Sequence, residues 1–210
     1  IMAKIGLEGE WELPPKSEQK TVNFPFTQLF GVQYLRSTIL IWLAFFAIMF
    51  SFYLVNSWTP ALLKDAGMTI KQGNGVGMMI SLGGTIGSLF YGMLASKWNA
   101  RNVLVLFTIA TAIAIIIFIL SSGTLWLAMV FGIMVGALMN GCISGLYTLN
   151  PSIYATDIRS TGVGWSIGIG RLGAILAPTI AGQLLDSGWN KQSLYIAVAF
   201  IMLISTVSLF

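Results

Sequence analysis

Six apolar runs, each long enough to cross a lipid bilayer, constrain this chain more than any other feature. They lie near 37–59, 75–95, 103–121, 125–149, 161–185 and 192–210. A helix rises about 1.5 Å per residue, so roughly 20 apolar residues cover the hydrocarbon. Within hydrocarbon every backbone polar group must find a partner inside the protein, and a helix meets that condition one span at a time. Composition agrees, with 56% of residues hydrophobic and only 9% charged, against about 25% charged in soluble domains. The expectation is an all-α membrane protein of six transmembrane helices. The net charge of +4 does not imply nucleic-acid binding, because the basic residues are scattered at the ends of the apolar runs.

Residues 1–36 read as a linker ahead of a membrane domain at 37–210. The first 21 residues are polar and contain Pro14 and Pro15. Between 24 and 36, Phe26, Leu29, Phe30 and Tyr34 recur at roughly helical spacing. That pattern fits a short helix lying in the headgroup layer, and equally a loop feeding the first span. The chain starts at Ile1 and stops at Phe210 within an apolar stretch, so a fragment cut at both ends is expected. Pro60 and Pro178 are expected to end or kink their helices. The short 121–124 turn makes the third and fourth spans antiparallel neighbours.

Lys and Arg set orientation. With the N-terminus inside, Lys4, Lys16, Lys20, Arg36, Lys97, Arg101 and Arg159 fall on the inner side. Lys64, Lys71 and Lys191 fall on the outer side. The excess predicts that the linker lies on the inner, cytoplasmic side of the membrane.

Within this apolar frame one residue is out of place. Arg171 lies nine residues after Gly162, inside an otherwise uncharged span, and so roughly 13–14 Å deep. A cation at that depth costs about 2.5–3.5 kcal/mol on insertion scales. Steps of three and four put Gly164, Ile167, Gly168, Ala174, Ile175 and Pro178 on its face. Such a small surface admits a close helix or leaves room for a ligand. Arg171 is therefore expected to point into the bundle rather than to lipid.

Two further stripes are candidates for a binding cavity. Asn140, Ser144, Tyr147 and Pro151 share one face of the fourth span, beside a small-residue stripe of Gly141, Gly145 and Thr148. Trp42, Phe46, Met49, Tyr53, Asn56 and Pro60 share one face of the first. Most of that aromatic stripe also fits plain packing; Tyr53 and Asn56 add polar tips. In the second span Ser81, Thr85 and Ser88 repeat beside Gly83, Gly84 and Gly87, which reads most simply as a packing seam.

Enzyme chemistry lacks its parts. The chain has no histidine and a single cysteine, Cys142, which removes the commonest general base, the commonest metal ligand and any intrachain disulfide. No histidine activates Ser144, and no acidic residue lies inside a span. No catalytic residue, metal or cofactor is expected.

The stretch from Tyr154 to Pro178, YATDIRSTGVGWSIGIGRLGAILAP, resembles the loop and eleventh helix of major facilitator superfamily transporters, and most closely the aromatic acid:proton symporters. TILIWLAFF at 38–46, with Tyr53, NSWTPALL at 56–63 and Asp65-Ala66-Gly67, is similar to that family's seventh helix. GMLASKWNAR at 92–101 resembles the loop between helices eight and nine. The resemblance covers 24–210 in outline and is most specific in the fifth span. It implies a C-terminal six-helix half, built as a 3+3 inverted repeat, preceded by the central cytoplasmic linker. No strong internal sequence repeat marks the two sets of three.

The resemblance also implies a function: import of aromatic carboxylates, such as benzoate or hydroxybenzoate, driven by the proton gradient. Arg171 would hold the carboxylate, a match that guanidinium geometry favours. Tyr53, Asn56, Trp42, Phe46, Asn140, Ser144 and Tyr147 would complete the substrate site. Lys97, Arg101, Asp157 and Arg159 would form a cytoplasmic gate. The acidic motif of the family's first helix would lie in an N-terminal half, which is the implied partner along with the bilayer and a small organic anion. One departure stands out. The family's gate loop has Asp-Arg where this chain has Ser96-Lys97, and Gly where it has Asn99. Other substrates remain open on the same fold, among them nicotinate, a polyol or sugar, and another organic acid. A non-transporting membrane scaffold, with Arg171 neutralised by a partner's acidic helix, is the reading from a different class.

Overall fold

A computed structural model describes residues 25–209. Most of the proposed linker therefore lies outside the described residues. The described chain is entirely helical: α1 (Pro25–Gln28), α2 (Leu35–Asp65), α3 (Ile70–Ala95), α4 (Ala100–Leu120), α5 (Leu125–Ile153), α6 (Arg159–Asp186) and α7 (Lys191–Ser208). Helices α2 to α7 are the six long and apolar enough to cross a membrane. Within the described part, 25–36, one helical turn, α1, is followed by turns up to Tyr34 and then by the start of α2.

Neither Pro60 nor Pro178 ends its helix, which corrects one of the two expected outcomes. α2 runs on to Asp65 and α6 to Asp186. A span tolerates proline because neighbouring helices absorb the freed backbone group. Pro60 has no N–H, so the carbonyl of Asn56 loses its usual i+4 donor. The starts of α3, α4 and α7 are fixed by side chains. Thr69 and Gln72 form a reciprocal capping box on α3, and Asn190 accepts from the Ser193 N–H at the start of α7. Asn99, the departure from the family loop, caps α4 by accepting from the Arg101 N–H at 2.9 Å.

Packing reveals the repeat that the sequence hides. The most extensive interfaces are α2 on α6 and α3 on α5; α4 packs on both α5 and α7, and α2 on α7. Exchanging α2–α3–α4 for α5–α6–α7 maps α2–α6 onto α5–α3 and α2–α7 onto α5–α4. The α4–α7 pair maps onto itself. This is the neighbour relation of two interlocked three-helix units. Glycines permit the closest approaches: a methyl on Gly87 would lie 1.9 Å from the Ala137 carbonyl oxygen, and one on Gly173 2.7 Å from that of Phe46.

The interior is apolar, with Phe45, Ile48, Leu104, Ile115, Met139 and Tyr195 buried. Its few polar contacts join helices. Thr59 Oγ1 and Tyr195 Oη lie 2.8 Å apart between α2 and α7, and Thr206 donates to Thr108 Oγ1 at 2.9 Å between α7 and α4. In a span such bonds contribute about 0.6–2 kcal/mol each. At the end away from α1, Lys191 Nζ donates to Asp65 Oδ2 and to the Ala61 carbonyl, tying the start of α7 to the end of α2. At the α1 end, Phe26 packs on Trp165 with ring centroids 4.7 Å apart, and Trp42 stacks on Trp165 at 6.1 Å.

Candidate functional site

α6 uses its small residues on two different faces. Gly162, Ser166, Gly170, Gly173, Ala177 and Ala181 are buried, and Gly170 and Gly173 press on Phe45, Met49 and Phe46 of α2. Gly164, Gly168, Arg171 and Ile175 are exposed. A methyl on Gly164 or Gly168 would meet nothing within 4 Å. Arg171 thus lies on an open face of the six-helix unit, outside its packed interior. The interior is filled by aliphatic and aromatic side chains, which leave a guanidinium no solvated place.

The Arg171 side chain is nonetheless held. Its Nη1 donates to Tyr53 Oη at 3.2 Å, bridging α6 to α2. Among the described residues no carboxylate pairs with it; the ion pair found there is Lys191–Asp65. A guanidinium has five N–H donors in a planar fork, and Tyr53 engages one. The remainder can receive an anion, a carboxylate above all, in bidentate geometry.

Only part of the expected substrate set gathers here. Asn56 is exposed one turn along α2 from Tyr53. Phe46 is partly buried and stacks on Phe50 at 6.0 Å. Tyr147 is 39% exposed and packs edge-on against Phe45 at 5.8 Å; Phe45 in turn touches Gly170, next to Arg171. Ser144 is half-buried.

Two expected residues sit elsewhere. Asn140 donates to its own helix at the Gly136 carbonyl, 3.1 Å away, and is wedged against Gly84 of α3. It belongs to the α3–α5 seam. Trp42 lies in the aromatic cluster of the α1 end, with Phe30 at 5.7 Å and Trp165 at 6.1 Å. It is eleven residues from Tyr53, about 16 Å along the helix. One stripe of a long helix is too extended to be one site.

Two of the four gate residues bond to backbone carbonyls. Arg159 donates from Nε to the Tyr154 carbonyl at 3.4 Å, and α6 has no side-chain cap. Among the described residues Asp157 makes no ion pair with Arg159 and no cap on α6. Arg101 donates from Nε to the Leu209 carbonyl. Lys97 is exposed.

The packing seam expected in the second span holds for its glycines but not for Ser81 and Thr85. Gly83, Gly84 and Gly87 make the seam with α5. Ser81 and Thr85 face the other way and line an open groove of about 730 Å³ with Asn56, Pro60, Asn74 and Gly77. The signal was present as Asn74, Ser81 and Thr85 at i, i+7 and i+11, a polar stripe offset from the glycines.

A sequence model described as Major Facilitator Superfamily matches residues 41–210. Over 208 residues the chain is 30% identical to the 4-hydroxybenzoate transporter PcaK of Pseudomonas aeruginosa, covering 98% of this chain and 46% of that protein. It is 31% identical over 175 residues to a gallate transporter of Pseudomonas putida, covering 81% of this chain and 38% of that one. It is also 31% identical over 172 residues to a benzoate transport protein of Acinetobacter baylyi, covering 81% and 36%. The chain spans less than half the length of these relatives.

Proposed function

The chain belongs to the Major Facilitator Superfamily, and from that premise we propose that it forms the C-terminal half of a proton-coupled symporter for small aromatic carboxylates. Membrane transporters, not enzymes, make up this family. The observation that carries the substrate class is Arg171: exposed, without a carboxylate partner among the described residues, steadied by Tyr53 and flanked by glycines that leave space. Relatives named for 4-hydroxybenzoate, gallate and benzoate are 30–31% identical to this chain over 172–208 aligned residues, and all three acids present a carboxylate on an aromatic ring. Arg171 binds that carboxylate. Tyr53 fixes the guanidinium, Asn56 lies beside the ring, and Phe46, Tyr147 and Ser144 border the space.

The open faces of α3 and α6 meet a second six-helix half in the bilayer, and transport proceeds by rocking of the two halves. The proton carrier lies in that other half, because the spans here contain no buried acid to serve. The α1 end is cytoplasmic, in the plasma membrane, with Lys97, Arg101, Asp157 and Arg159 forming the gate region there. The scaffold alternative requires an acidic partner for Arg171, and nothing among the described residues favours it.

The test is uptake of labelled benzoate and 4-hydroxybenzoate by the complete transporter in energised vesicles. Arg171→Ala abolishes uptake of both acids while membrane abundance is unchanged, and collapse of the proton gradient stops accumulation in the wild type. Undiminished uptake by Arg171→Ala rejects the assignment.

A further inference from the structure

The groove between α2 and α3 adjoins the Arg171–Tyr53 pair and has a different chemistry. α2 packs against α6 on one side and α3 on the other, so it is the floor shared by both features. Arg171 reaches Tyr53 from the α6 side. Three residues further, about 4.5 Å along the helix, Asn56 opens a largely apolar groove, walled by Pro60, Met78 and Leu82, into which Asn74, Ser81 and Thr85 bring polar groups. Its volume of about 730 Å³ lies in the range of small-molecule sites, about 300–1,000 Å³.

The polar groups of the groove keep hydrogen-bonding capacity in reserve. Many hydroxyls in these spans bond to their own helix: Thr111 to Phe107, Ser88 to Gly84, Thr148 to Ser144, Ser166 to Gly162. Asn140 does the same with Gly136. Asn56, Asn74 and Thr85 make no such side-chain bond among the described residues. Ser81 donates to the Gly77 carbonyl and retains its acceptor lone pairs. Pro60 also deprives the Asn56 carbonyl of its i+4 donor. Gly77 keeps the wall open, since a methyl there would meet nothing within 4 Å.

We propose that this groove is the subsite for ring hydroxyl groups, so that the transporter selects hydroxylated aromatic acids over the unsubstituted acid. The inference rests on Arg171 being the carboxylate anchor and extends it to the far side of the ring. A phenolic hydroxyl both donates and accepts. Amide and hydroxyl side chains answer both needs, whereas a bare ring edge leaves them unpaired once water is displaced. Sites built to bond a hydroxyl discriminate strongly against analogues that lack it. A ring nitrogen only accepts, and so meets fewer of these groups.

The experiment measures KM for 4-hydroxybenzoate, benzoate and nicotinate with the complete transporter in energised vesicles. The wild type favours the hydroxylated acid. Thr85→Val, which swaps a hydroxyl for a methyl of similar shape, and Asn74→Leu each lower that preference about tenfold, the scale of one net hydrogen bond. Thr85→Ser restores it, which separates loss of the hydroxyl from loss of packing. A wild type that favours benzoate or nicotinate overturns the inference, as does an unchanged preference in both variants at normal membrane abundance. Those results leave the carboxylate anchor standing. If Arg171→Ala transports both acids normally, the anchor fails and this subsite falls with it.

Discussion

α3 and α6 occupy equivalent places in the two three-helix units, yet they carry different chemistry. Each presses a glycine face onto its partner helix, α3 on α5 and α6 on α2. Each turns the opposite face to open space. On α6 that face bears a cation deep in the span, Arg171; on α3 its mid-helix polar groups are the neutral Asn74, Ser81 and Thr85, and its cation, Lys71, stands in the first turn. The buried faces are alike because close packing of two helices in lipid demands small residues whatever the function. The open faces diverge because packing within these six helices does not constrain them. α2 lies between the two, and its Tyr53 and Asn56 serve one each.

The most damaging way to break this comparison is to treat a closed face as though it were open. Gly87→Leu forces side-chain atoms onto the Ala137 backbone, where even a methyl has 1.9 Å. It should cost more than about 4 kcal/mol and leave little folded protein on size-exclusion chromatography in detergent. Next comes the charge on α6. Arg171→Lys keeps the cation but loses the planar fork; uptake should fall by about tenfold or more, read as a rise in KM, with membrane abundance unchanged. Tyr53→Phe removes only the acceptor that steadies Arg171. It should weaken apparent substrate affinity about five- to tenfold, corresponding to about 1 kcal/mol. The smallest effect belongs to Gly77→Ala on the open face of α3. Its methyl meets nothing within 4 Å, so the melting temperature in detergent should hold or rise slightly, as helix propensity favours Ala by about 1 kcal/mol. A large loss of stability there would dissolve the distinction between open and closed faces.

The parts of this architecture that were legible from sequence are those set by the bilayer. A run of apolar residues must be a helix, so all six spans could be located, and Arg171 stood out because charge inside such a run is costly. The ends of the spans were less legible. Pro60 reads as a stop in a soluble helix, whereas in α2 the helix passes through it to Asp65. Helix faces were harder still. Gly83, Ser81 and Thr85 are all small, and spacing alone does not say which of them meets α5 and which meets open space. Trp42 shares a stripe with Tyr53, but a stripe records angle and not depth. The pairing of the two three-helix units left no mark on the sequence, because helix neighbours depend on shape and the residues that supply it differ between the units.

The rings at the α1 end carry one more consequence. Phe26 precedes α2 but lies on Trp165 of α6, and Trp165 also stacks on Trp42 of α2. The incoming polypeptide is thereby moored to the helix that carries the guanidinium as well as to the helix it is about to enter. Tension arriving from upstream is shared between the two, and any sliding of one past the other must first part these indoles, an event that native tryptophan emission would report.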